Sequence, residues 1–131
     1  MNEEKLNRLP ADVKKQFLKY AIKLSEKKQK SKVHEDFLTF VKHVWPEFIE
    51  GEHHKKIAEK FNEIANKKIK RLIINMPPRH TKSEFASFLL PSWMVGRKPD
   101  LKIIQTTHTT ELAIRFGRKA KNLMDSPEYK Q

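Results

Sequence analysis

The residues whose types and spacing most directly suggest chemistry lie in the stretch Met76-Pro77-Pro78-Arg79-His80-Thr81-Lys82-Ser83. A Lys-Ser pair between an apolar run and an amphipathic segment matches the end of the phosphate-binding pattern G-x-x-x-x-G-K-[ST]. In that pattern backbone N–H groups at a helix N-terminus cradle phosphates. Lys82 would reach the β- and γ-phosphates, and the Ser83 hydroxyl would join the shell of Mg²⁺. The implied ligands are therefore ATP and Mg²⁺. Both glycines of the pattern are replaced, the first by Met76 and the second by Thr81. A β-branched threonine resists positive φ, so the loop is expected to close around a phosphate with Thr81 in an ordinary backbone region. Pro77 and Pro78 lack N–H groups but occupy early positions, which leaves Arg79 through Ser83 as donors. The alternative is a turn in which two prolines cap a strand and Lys82 is solvated.

The elements that must position this loop follow from periodicity. Leu72-Ile73-Ile74 is a β-branched-rich run between a Lys/Arg cluster and Asn75, Pro77 and Pro78, as expected for a short buried strand. Residues 82–95 fit a helix through Phe85, Phe88, Leu89, Trp93 and Met94. A second apolar run, Leu101 to Thr106, reads as another strand. Leu112, Ala113, Phe116, Ala120, Leu123 and Met124 then form an amphipathic helix with Glu111 in its first turn, where the helix dipole favours an anion. The order strand, loop, helix, strand, helix predicts an α/β fold with a parallel sheet, two strands of which are visible. Thr106 and Thr107 would end the second strand at the edge where open α/β sheets bind ligands.

Helices are expected ahead of this part. Val13, Phe17, Tyr20, Ala21 and Leu24 recur at spacings of three and four within residues 10–27. The stretch Ser25 to Lys32 holds charged residues, Gln and Ser, and is expected to end that helix as a basic connection. A domain boundary is placed near Val33, giving a basic segment 1–33 and a second part 34–131. In the second part, one helix from about His34 carries Phe37, Leu38, Val41, Val44 and Trp45, and is stopped by Pro46. Another covers about 52–67 with Ile57, Ala58, Phe61, Ile64 and Ala65.

Composition narrows the function classes. The chain has 131 residues, 28 Lys+Arg against 16 Asp+Glu, and a formal net charge of +12. Residues 1–33 hold ten basic and four acidic side chains. Polyanions are the natural partners, whether DNA, RNA or an anionic surface, because phosphate neutralisation carries no sequence information. The absence of cysteine excludes a disulfide scaffold and a Cys-type zinc site. No apolar run approaches the roughly 20 residues of a membrane span. The opening Met1-Asn2-Glu3-Glu4 is acidic where a secretory signal would be basic, so secretion is not expected. His53 and His54, adjacent on a helix, are expected to point to different sides and not to share a metal.

The stretch from Lys70 to Glu84 resembles the variant phosphate loop of the large terminase subunits of tailed bacteriophages, written P-P-R-H-G-K-S, with Thr81 in place of its glycine. The resemblance extends to the His53-His54 pair and to Lys102–Met124, and so covers about residues 34–131. It implies the N-terminal part of the ATPase domain of a motor that couples ATP hydrolysis to translocation of double-stranded DNA into a capsid. Carried over by residue, Lys82 and Ser83 would bind ATP and Mg²⁺, Arg79 would lie near the γ-phosphate, and His80 and Thr81 would contribute N–H groups. His54 would lie near the nucleotide base. Also implied are a portal and a small terminase subunit as partners, a homo-oligomeric ring, and a location in the host cytoplasm at the capsid portal, with no membrane.

An ATPase of this class needs an acidic residue at the end of a later strand to hold Mg²⁺, followed by a carboxylate for the attacking water. No apolar run here ends in Asp or Glu, and the family's nuclease carboxylates are missing too. The expectation is that the chain is the front of a larger domain and does not hydrolyse ATP alone. A helicase-like ATPase fragment shares the same order of elements. A non-catalytic basic module that binds nucleic acid through its Lys-rich helices is the reading from another class.

Overall fold

The computed structural model describes residues 10–130, so the acidic opening Met1–Glu4 and the terminal Gln131 lie outside it. The described elements are helical: α1 (Ala11–Glu35), α2 (Phe37–Val44), α3 (Glu52–Ala65), α4 (Lys82–Glu84), a π-helical turn (Phe85–Leu89), α5 (Leu90–Arg97), α6 (Thr110–Asp125) and α7 (Pro127–Lys130). The chain divides into two compact units that part between Ser31 and Lys32, within α1.

In the first unit the expected amphipathic helix forms but does not stop at Ser25. It runs on through the polar stretch, because Lys, Gln and Glu are good helix formers and no Gly or Pro interrupts them. Ser25 is absorbed by bonding its hydroxyl to the Ile22 carbonyl at 2.7 Å. Val13, Phe17, Tyr20 and Leu24 are exposed.

The second unit is organised around Phe37, whose side chain is fully buried. The rings of Phe61, Phe85 and Trp93 approach it edge-on, with centroids 5.0, 5.3 and 5.5 Å away. This is the geometry that aromatic quadrupoles prefer. Phe40, Val41, Ile57, Ala58 and Leu89 complete the core. The start of α2 is set by Asp36, whose carboxylate accepts from Thr39 N at 2.8 Å and Thr39 Oγ1 at 2.7 Å. The same residue ties α2 to α3. Asn62 Nδ2 donates to Asp36 (2.7 Å) while Asn62 Oδ1 accepts from Phe37 N (2.9 Å). Trp93 Nε1 donates to the Val33 carbonyl at 2.9 Å, and Tyr129 donates its hydroxyl to Ser92 O at 2.7 Å.

The α/β fold with a parallel sheet is overturned, because no strand forms among the described residues. The two apolar runs carry no regular secondary structure. Leu72, Ile74 and Met76 are half-buried against the helical core, while Ile73 between them is 86% exposed. That alternation gives the run one covered face, whereas a parallel strand needs cover on both. Leu101–Thr106 lies along the π turn and α5, lining with Ala86, Leu90 and Met94 an open groove of about 530 Å³, and leaves Ile104 92% exposed. β-branching and flanking prolines did not make strands of these runs, because pairing is a tertiary property that neither encodes.

The helix after the loop also departs from regularity. Between α4 and α5 it widens into the π turn, with Leu90 N bonding Phe85 O. Pro91 lacks an N–H, and its ring would press on the carbonyl of residue 87, so a wider turn ahead of it relieves the contact. The widened turn aims Phe85 and Leu89 into the core.

Candidate functional site: the loop before α4

The loop runs from the half-buried Met76 to the start of α4. Its backbone is unusual at two non-glycine positions, Arg79 at φ 63° and Thr81 at φ 56°. Thr81 caps α4 in the left-handed region. The sequence expectation that Thr81 would take an ordinary backbone conformation is thereby corrected. It adopts the conformation that a glycine would supply at that place in the phosphate pattern, at a cost of about 1–3 kcal/mol for a side chain in this region. With His80 between them not at positive φ, the sign of φ alternates along Arg79, His80 and Thr81. Such alternation turns successive N–H groups toward one concavity, a shape that receives anions.

Two further features shape that concavity. The first intrahelical bond runs from Phe85 N to Thr81 O at 2.9 Å, so the N–H groups of Lys82, Ser83 and Glu84 have no carbonyl of the helix to bind. Lys82 folds its ammonium back over the loop and donates to Met76 O at 3.2 Å, six residues upstream. The ring so closed joins the first position of the phosphate pattern to its lysine. Ser83 is exposed on the first helical turn. The imidazole of His80 turns back on the loop, donating from Nδ1 to Pro78 O at 2.9 Å, which leaves its backbone N–H as its contribution to the concavity.

Glu84 does not pair with Arg79. Its carboxylate takes the Lys119 ammonium at 2.7 Å, and that ammonium also sits 5.1 Å from the Phe88 ring centroid. This neutralises a carboxylate that would otherwise oppose an anion at the helix start. Arg79 is exposed and forms no ion pair among the described residues.

The site's floor comes from α3. His54, 7% exposed, stands in the third helical position, and its Nδ1 accepts from Gly51 N at 2.9 Å. This is the backward half of a capping box, with imidazole in the place of the usual glutamate. An Nδ1 that accepts must carry its proton on the other nitrogen, and Nε2 donates to Thr81 Oγ1 at 2.5 Å. The ring lies against Phe48 and Phe85, with centroids 4.8 and 5.1 Å away. Burial pushes its pKa below the usual 6.5, and the neighbouring His53 and His80 push the same way against a smaller pull from Glu50.

The expectation that His53 and His54 point apart is also corrected, since their ring centroids are 3.8 Å apart, with His80 5.7 Å from His53. No group of three or more His, Cys, Asp or Glu that could hold a metal occurs among the described residues. Thr106 lines the groove along α5, and Thr107 bonds its hydroxyl to Thr109 O at 2.7 Å. Neither is hydrogen-bonded to the loop.

The donor set suits a polyphosphate, offering backbone N–H groups, one ammonium and an exposed guanidinium. For Mg²⁺ it offers the Ser83 hydroxyl alone, the Glu84 carboxylate being held by Lys119, so a cation here would take its other oxygens from phosphate and water. The structure thus brings Arg79, His80, Thr81, Lys82, Ser83 and His54 to one place. The bond between His54 and Thr81 had no signal in the sequence, beyond a histidine three residues after a glycine at a helix start. No family model matches the chain, and neither a curated protein nor a solved structure matches it.

Proposed function

We propose that the loop Met76–Ser83 binds the phosphates of ATP with Mg²⁺, as part of a motor of the large terminase type that moves double-stranded DNA into a viral capsid. The observation that carries the reading is Thr81 held in a glycine-like conformation directly before Lys82, whose ammonium closes the loop onto Met76 O. A chain that needed a plain turn here would not hold a β-branched residue at positive φ. Bound there, the β- and γ-phosphates would receive the N–H groups of His80 through Ser83, with the Lys82 ammonium moving from the carbonyl to the phosphate. Arg79, exposed and in no ion pair among the described residues, would reach charge on the γ-phosphate. Mg²⁺ would neutralise phosphate charge beside Ser83. The residues present grip a nucleotide and supply no carboxylate for activating water, so hydrolysis would depend on groups beyond these.

The partners in this reading are double-stranded DNA, a portal and small terminase subunit, and further copies of the chain in a ring. The test is titration of Mg²⁺ and ATP by calorimetry. Saturable binding that Lys82→Ala weakens at least about tenfold is expected, since a charge-assisted contact of this kind is worth roughly 1.5–3 kcal/mol. Binding unaffected by Lys82→Ala rejects the phosphate-loop assignment. The lysine-rich surface of α1 favours a second reading, a nucleic-acid module without nucleotide. That reading predicts steeply salt-dependent DNA binding and no response to ATP.

A further inference from the structure

We infer that His54 is a positioning residue for the phosphate loop, its imidazole standing in for the missing glycine by holding Thr81 in the left-handed conformation. The inference rests on the phosphate-loop reading for its ligand, but the bond it concerns exists without one. A glycine reaches positive φ unaided, whereas Thr81 has a steric bias against it and needs an outside constraint. Among the described residues, the side-chain bond to the Thr81 hydroxyl comes from His54 Nε2, 27 residues away on α3.

The imidazole can serve as a constraint because it is itself fixed at the other end. Gly51 N donates to Nδ1, which sets both the ring's tautomer and its angle, while Phe48 and Phe85 confine its faces. Gly51 suits this arrangement for a steric reason. A Cβ there would come within 3.0 Å of the His53 ring and 3.5 Å of His54 Nδ1, crowding the pair that the bond depends on. Helix start, imidazole and loop are thus joined in series, from Gly51 N–H through the ring to Thr81 Oγ1. A residue with hydroxyl and β-branch at this position is tolerated because the hydroxyl is the handle by which it is held. His54 donates its Nε2 proton to Thr81, so in this geometry it acts on a phosphate through the backbone and not by direct contact.

The experiment is a double-substitution cycle with inorganic pyrophosphate and Mg²⁺ with ATP as probes, read by calorimetry on the full chain. His54→Ala should weaken binding roughly five- to tenfold, the worth of one hydrogen bond, and His54→Gln, which keeps a donor, should restore most of the loss. Thr81→Gly should tighten binding and remove the dependence on His54, leaving His54→Ala less than about twofold effective in that background. Equal losses in both backgrounds would overturn the inference. If His54→Ala does not fold, Thr81→Val reads the same bond from the half-buried side, and undiminished binding by it overturns the inference equally.

If the unsubstituted chain binds neither probe, the phosphate-loop reading fails and the bond is judged without ligand. Imidazole nitrogen NMR should then show His54 protonated at Nε2 with Nδ1 accepting, and His54→Ala should lower Tm more in the Thr81 chain than in the Thr81→Gly chain. The opposite tautomer, or additive losses of Tm, would defeat it.

Discussion

Lys82 and Ser83 stand at a helix start, and His54, 27 residues before Thr81 in the chain, bonds the Thr81 hydroxyl. The place of Lys82 and Ser83 at a helix start was legible because it depends on neighbours in the chain. Thr81 was misjudged because a residue's intrinsic preference was taken as its conformation, when tertiary bonds outweigh a steric bias of this size. Two titration predictions belong to single residues. His54 has a folded pKa below its unfolded value, with Glu50, His53 and His80 facing it, so the unfolded chain binds more protons between the two values. Its contribution to stability is present above about pH 6.5 and declines as pH falls below that value. Tm measured from pH 7.5 to 5.5 should fall, and His54→Gln should flatten the slope. Burial pushes the Asp36 carboxyl up, but hydrogen bonds from Thr39 and Asn62 outweigh it and hold the group below its ordinary 3.8. That contribution persists above pH 4 and is lost at lower pH. Asp36→Ala removes a helix cap and leaves Asn62 without its acceptor, and should cost about 2 kcal/mol by denaturant unfolding.

Periodicity places the longer helices to within a few residues, but misses the length of α1, the π turn and the short α7. The reason is that the amphipathic pattern and the capping residues Asp36 and Thr109 lie inside the segments they define. The extension of α1 shows the opposite case. A polar tract reads as a connection when burial is the guide, yet backbone bonds continue wherever no residue opposes them. In α6, Thr109 Oγ1 accepts from Leu112 N at 3.3 Å, while Gly117 lies in mid-helix with open space where a Cβ would stand. Gly117→Ala should therefore stabilise the chain by about 0.5–1 kcal/mol. The check is the denaturation midpoint of the single variant. An unchanged or lowered midpoint would show that the glycine is needed for a reason other than the helix itself.

At the scale of the molecule, the helical unit from Lys32 onward owes its cohesion to Phe37 and the rings of Phe61, Phe85 and Trp93 drawn from α3, the π turn and α5. The same aromatic cluster sets the loop, since Phe85 follows Glu84 directly and its ring also confines His54. Far-UV circular dichroism should be dominated by helix. No described helix is long and apolar enough to cross a membrane. The net charge of +12 predicts DNA affinity that falls steeply with salt. Replacing Lys19, Lys23 and Lys27 of α1 by Gln should lower the slope of log K against log salt by up to about 3 if those side chains meet phosphates.

Composition and order were enough to determine the basic character of the chain, the positions of its longer amphipathic helices, and the presence of a Lys-Ser pair at a helix start. Each depends on neighbours within a turn or two, where period and side-chain type act directly. Tertiary structure decided that the two apolar runs form no strand, that Pro91 is met by a π turn, that Glu84 goes to Lys119, and that Thr81 sits at positive φ with its hydroxyl bonded to His54. Those outcomes join residues far apart in the chain, or turn on which faces find cover. They are set by packing around Phe37, which no local pattern encodes.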